Sequence, residues 1–212
     1  NRHSPFKVDF DFTYQMDSND EESDIDDIDP DDDNSSLNHK KKYIPERRYT
    51  NVIINEVIES FGEIFNEWCV TPMPEEQRLC FVLEKEKPRF KDKEKLIVKD
   101  GLHLMWPYMV CSFSFQHKIR TIMLKRFKAS GIFKSMNLLT KNELSEVYDR
   151  NVIEGNWLMY GSCKPKKKGN DGKPYLLTNI IKYAYDEEMD EYGSEPVKID
   201  KLQYTNSMLI KL

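Results

Sequence analysis

Residues 6–14 read Phe-Lys-Val-Asp-Phe-Asp-Phe-Thr-Tyr, with apolar or aromatic side chains at every second position. A period of two is the signature of a β-strand with one buried face. The alternation also decides what stands on the other face. Residues i and i+2 of a strand project together, about 6.6 Å apart, so Asp9 and Asp11 point the same way. Two carboxylates this close repel unless a cation neutralises them. Hard divalent ions such as Mg2+ and Mn2+ favour such oxygens. Taken alone, an Asp-x-Asp is equally an ordinary solvated strand face.

A second strand is expected over Leu96–Trp106, closed by Pro107. Within it Lys99, Gly101 and His103 share one face. A point charge, a bare stretch of backbone and an imidazole in line can hold a triphosphate. The plainer alternative is a structural His beside a surface Lys. Asp100 falls on the core face of the same strand, which leaves two readings open: the strand bulges, or Asp100 pairs with a buried base. The third group runs Tyr148-Asp149-Arg150-Asn151-Val152-Ile153 and on through Asn156–Pro165. Asp149 sits between a short helix (142–148) and a strand (156–161). By itself it is a turn acid; beside Asp9 and Asp11 it would complete a two-metal site, with ions about 3.5–4 Å apart.

Between these groups the pattern is that of an α/β (α+β) domain. A helix starts at the N-cap residue Thr50 and carries Val57, Ile58, Phe61, Ile64, Phe65 and Trp68 at helical spacing. Thr71-Pro72-Met73-Pro74 breaks it. Leu79–Glu84 and Tyr175–Tyr183 read as strands, Pro88–Lys95 as a charged loop, and Ser112–Lys128 as a packing helix. Residues 16–42 have the like-charge blocks of a disordered acidic and polar insertion. Residues 17–33 hold eleven acids and no base; the remaining chain has 26 acids against 32 bases. The net charge of −5 therefore hides a mildly basic remainder, as suits a nucleotide or nucleic-acid binder. The acidic run is a solvated loop or a mimic of DNA over a basic groove. The loop at 164–173 is a phosphate contact or a polar hairpin.

Four cysteines occur, none in a Cys-x-x-Cys pair and none with zinc spacing, so free thiols in a reducing compartment and no zinc are expected. No apolar run approaches the ~20 residues of a membrane span. The start, Asn1-Arg2-His3-Ser4-Pro5, reads as the cut end of a longer chain in which residues 1–212 form one catalytic domain.

In this order the groups resemble the archaeo-eukaryotic primase superfamily. The strings KVDFDFTY, KDGLHLMWPY and DRNVIEGNWLMYGSCKP are most similar to the primase module of primase-helicases from nucleocytoplasmic large DNA viruses. YDRNV followed by NWLMYGSCK also resembles the third motif of eukaryotic primase-polymerases. The likeness spans about residues 5–180. It implies an RRM-like core, a mixed sheet flanked by helices, and template-dependent nucleotidyl transfer in viral-type DNA replication. It implies metal-binding, catalytic roles for Asp9, Asp11 and Asp149 with two Mg2+ or Mn2+ ions. Lys99, Gly101, His103 and Lys164 would line the nucleotide. Gly101 departs from the Ser of many relatives, and Leu158 from an Arg. Nucleoside triphosphates, a single-stranded DNA template and a primer would be the partners, with a helicase further along the polypeptide and the host cytoplasm or nucleus as the place. No Walker A string occurs in this chain. Two rival readings remain: an RRM-like binding module without catalysis, although no RNP1-type string is present, and another Asp-x-Asp metal enzyme such as a nuclease.

Overall fold

The computed structural model describes residues 2–16, 43–68, 73–139, 143–155, 161–163, 172–186 and 191–197. The alternating segment forms β1, His3–Gln15. Its Phe6, Val8, Phe10, Phe12 and Tyr14 are fully buried, each contributing about 2 kcal/mol of transfer free energy. β1 pairs antiparallel with the long strand β4, Ile97–Ser112. β2, Leu79–Glu84, lies along the other side of β4. β5, Leu176–Asp186, and β6, Glu191–Pro196, extend the sheet in the order β1-β4-β2-β5-β6, while β3, Arg89–Asp92, pairs with β4 off that path. Every ladder among the described residues is antiparallel. β1 and β2 both oppose β4 and so run parallel to each other, joined through α1, Asn51–Trp68. This is a split β-α-β unit, and the α/β (α+β) expectation holds.

Helix α1 starts where Thr50 predicts. The Thr50 hydroxyl accepts from the Ile53 N–H at 3.4 Å, relieving one of the helix's orphan donors. Ile54, Val57, Ile58, Phe61, Ile64 and Phe65 form one buried stripe over the core face of β1 and β4. There Phe6, Phe61, Phe65 and Trp106 meet edge-on or tilted, with ring centroids 5.0–6.0 Å apart. Gly62 lets β5 come close: a Cβ there would lie 2.3 Å from the Tyr183 ring. The second helix, α2, spans Phe113–Ser130. Ser112 caps it by accepting from Phe115 N–H, and Gly131 ends it at φ 69°. Its Ile119, Met123 and Phe127 are buried, so this helix packs as read from the sequence. The short helix α3 is Leu144–Val147.

Three boundaries differ from expectation. The charged segment 88–95 is not all loop: Arg89–Asp92 forms β3, a hairpin on β4. β4 does not stop at Pro107. Pro5 pairs with Val110 while Phe6 pairs with Trp106, so residues 107–109 bulge out opposite that step. Within a bulge the missing proline N–H costs no ladder bond. β6 had no counterpart in the sequence reading. The acidic segment 17–42, most of the strand expected at 156–161, and Lys164 lie outside the described residues. Among the described cysteines, Cys80, Cys111 and Cys163 are free, as expected. No helix of the described residues is long and apolar enough to cross a membrane.

Candidate active site

Directly opposed residues decide which side chains meet across a ladder. In β1–β4, Asp9 stands opposite His103, Asp11 opposite Gly101, and Thr13 opposite Lys99. All six belong to the face turned away from the aromatic core. His103 Nε2 lies 3.3 Å from Asp9 Oδ2. Lys99 Nζ reaches back to Asp11 Oδ2 at 3.1 Å. Exposure rises along the row, from 3% for the His103 side chain through 16% for Asp9 to 39% for Asp11. The site therefore opens to solvent at Asp11. A pair as exposed as Lys99–Asp11 contributes under about 1 kcal/mol, so Lys99 can exchange Asp11 for a ligand at little cost.

The third group arrives on the free side of β1. Phe10 bridges to Tyr148, and the Asp149 N–H donates to the Asp9 carbonyl at 2.9 Å. The Asp149 carboxylate turns the chain by accepting from the Asn151 N–H at 2.9 Å. Arg120 of α2 pins this corner. Its guanidinium donates to the carbonyls of Tyr148 and Ser145, and its Cζ sits 5.2 Å from the Tyr148 ring centroid. Three segments separated by about 90 and 45 residues thus converge within one backbone hydrogen bond of each other.

Asp100 settles the question left open above. It is buried on the core side and pairs with a base, Arg47, whose Nε lies 2.9 Å from Oδ2. The same guanidinium reaches Glu84 at 2.7 Å and the Lys85 carbonyl at 2.6 Å. Burial pushes the Asp100 carboxyl above its ordinary range, with the Arg47 hydrogen bond pulling it back. Asp100 belongs to the scaffold of the strand that carries Lys99, Gly101 and His103.

A family model described as "C962R protein N-terminal AEP domain" matches residues 1–181. The chain belongs to this family of archaeo-eukaryotic primase (AEP) domains. It is also 29% identical over 144 residues to a protein of Acanthamoeba polyphaga mimivirus named a "putative helicase". The match covers 68% of this chain and only 13% of that protein's length.

An AEP domain of primase type implies divalent ions. The donor chemistry fits them: Asp9 and Asp11 supply hard oxygens on one face, and Asp9 Oδ1 is buried without a hydrogen-bond partner among the described residues. A buried carboxylate oxygen left unsatisfied is costly unless a ligand completes it. Among the described residues no group of three His, Cys, Asp or Glu side chains is already arranged to hold a metal. The Asp149 side chain would have to leave its turn, or act beside the pair.

Two residues of this face escaped the sequence reading. Lys7 shares the parity of Asp9 and Asp11 and lies half-buried opposite Met105, where burial lowers its ammonium from the ordinary value. The i, i+2, i+4 spacing was the signal for it. Tyr175 stacks on His103, with ring centroids 3.6 Å apart and planes inclined at 15°. No spacing rule links it to β4, because it precedes β5, two strands away.

Proposed function

We propose that this AEP domain performs template-dependent nucleotidyl transfer as a DNA primase or primase-polymerase. The observation that supports this most is the convergence of Asp9, Asp11 and the Asp149 backbone on the strand carrying His103 and Lys99. In the reaction a primer 3′-hydroxyl oxygen bonds to the α-phosphorus of a nucleoside triphosphate. The bond to the bridging oxygen breaks, pyrophosphate leaves, and the hydroxyl proton passes to solvent. Asp9, Asp11 and Asp149 would hold two Mg2+ or Mn2+ ions, which when bound activate the hydroxyl and neutralise phosphate charge. Lys99 supplies a mobile cation to the triphosphate, and Lys164 a second one. His103, held between Asp9 and Tyr175, would turn its Nε2–H from Asp9 to the nucleotide.

The mimivirus relative's name and its far greater length suggest the setting. We infer a replication protein in which a helicase follows on the same polypeptide. It would act on single-stranded DNA template and primer in the cytoplasm or nucleus of an infected cell. The test is template-directed synthesis with ribo- and deoxyribonucleotide pools, in Mg2+ or Mn2+, beside an Asp9→Ala/Asp11→Ala variant. Wild-type product and none from the folded variant is the expected result. Extension at the wild-type rate by a well-folded Asp9→Ala protein overturns the reading. His103→Ala is expected mainly to raise the nucleotide KM, and unchanged KM and kcat would remove it from the site.

A second reading is a nucleic-acid-binding module without catalysis. What favours it is that the Asp149 carboxylate is engaged in its own turn, accepting from the Asn151 N–H at 2.9 Å. It requires binding of single-stranded DNA that is indifferent to divalent ions and to Asp9.

A further inference from the structure

Gly101 is the gap in the row that Lys99 and His103 otherwise fill. A Cβ built on Gly101 would lie 2.7 Å from the Tyr175 hydroxyl oxygen, 3.5 Å from the Phe10 carbonyl and 3.8 Å from Asp11 Oδ1. The volume that a side chain at 101 would occupy is therefore taken by a hydroxyl from another segment. That hydroxyl stands in line with Lys99 and His103, beside the open Asp11 end of the site. Its ring is held on two counts: it stacks on His103 at 3.6 Å, and Lys85 Nζ lies 5.6 Å from its centroid. Its carbonyl accepts from the Gly161 N–H at 2.9 Å, which ties it to the end of the third motif string. Tyr175 is 8% exposed, so packing holds it in place.

We propose that Tyr175 is a nucleotide-contacting residue, its hydroxyl donating to a phosphate oxygen from the place above Gly101 and its ring setting the plane of His103. This rests on the nucleotidyl-transfer reading and deepens it. A phenol O–H is a strong donor to an anionic oxygen, and reaching in from just before β5 it can be pre-placed by packing as a lysine cannot. Gly101 is then required because any larger residue would displace this hydroxyl.

Nucleotide KM, kcat and Tm are measured in template-directed synthesis for wild type, Tyr175→Phe, Gly101→Ser and the Gly101→Ser/Tyr175→Phe double variant. Tyr175→Phe keeps the stacked ring and loses the hydroxyl. It should raise KM about tenfold, the scale of one hydrogen bond to a charged group, with kcat within about twofold and Tm unchanged. Gly101→Ser alone forces two groups into one place and should also weaken nucleotide use. The double variant has room for the serine and restores a hydroxyl there, so it should recover most of the lost affinity. A wild-type KM for Tyr175→Phe, a loss seen in Tm and not in KM, or no recovery in the double variant overturns the assignment. If wild type makes no product and binds no triphosphate, the nucleotidyl-transfer reading falls and Tyr175 with it. If wild type is active and Tyr175→Phe matches it, Tyr175 alone is wrong.

Discussion

The β1–β4 ladder carries carboxylates on both of its faces, and the two faces treat them in opposite ways. On the core side Asp100 has a donor for each oxygen. Arg47 serves Oδ2, while the Gly101 N–H at 2.9 Å and a longer Arg47 bond at 3.4 Å serve Oδ1. Arg47 is itself shared with Glu84 and lies 4.9 Å from the Tyr49 ring centroid, and Thr178 closes the network on Glu84. On the other side Asp9 keeps one buried oxygen without a partner among the described residues, and Asp11 holds a lysine that solvent can replace. Closed networks of buried charge specify a scaffold; open ones wait for something. The same residue type, on opposite faces of the same two strands, is tied into the scaffold in one place and left open to a ligand in the other.

That contrast can be broken. The largest effect should come from Asp9→Ala: synthesis falls by at least about a thousandfold, some 4 kcal/mol of transition-state stabilisation, while thermal unfolding stays near wild type. Next is Asp100→Ala, which strands Arg47 and should lower unfolding free energy by about 3 kcal/mol or more in a denaturant titration. Equal losses of stability for the two variants would erase the distinction between the faces. Gly62→Ala, remote from both, pushes a methyl into the Tyr183 ring and should cost about 1–3 kcal/mol without touching the nucleotide KM. The smallest effect is in pH. Burial raises Asp100 from its ordinary 3.8, so its ionised form is less welcome folded than unfolded. Its contribution is full below the unfolded value and lost as pH rises through the folded one. The stability of wild type minus that of Asp100→Asn should therefore decline from about pH 4 upward. A difference that grows with pH would show Arg47 outweighing burial.

Much of this was legible in the chain. Periodicity located β1, α1 and α2, because each buries one clean face, and a short apolar run located β2, which is buried on both. Parity placed Asp9 with Asp11, and Lys99 with Gly101 and His103, and the ladder then joined the two sets. What escaped lacked a period. β3 and β6 are short strands of mostly charged and polar residues with one aromatic each, too brief for a period to show. Pro107 marks a bulge that only its partner, the Pro5–Phe6 step, reveals. Asp100 on a core face demanded a base but gave no address for it; Arg47 sits in an irregular stretch before α1. Tyr175 is invisible for the same reason: its neighbours are set by the order of strands in the sheet. Lys164 and the acidic segment 17–33 remain outside the described residues, so the readings placed on them stand as sequence expectations.

The register of β1 against β4 joins residues some 90 positions apart, and β1 meets Tyr148 across an even longer loop. Closing such loops comes late and slowly in folding. A slip by one residue would turn Phe10 and Phe12 outward and both acids into the core. On a ribosome, then, Asp9 and Asp11 cannot meet Lys99 and His103 until β4 has emerged, and the Tyr148–Asp149 corner joins them only later. Correct register and the meeting of these side chains become a single event.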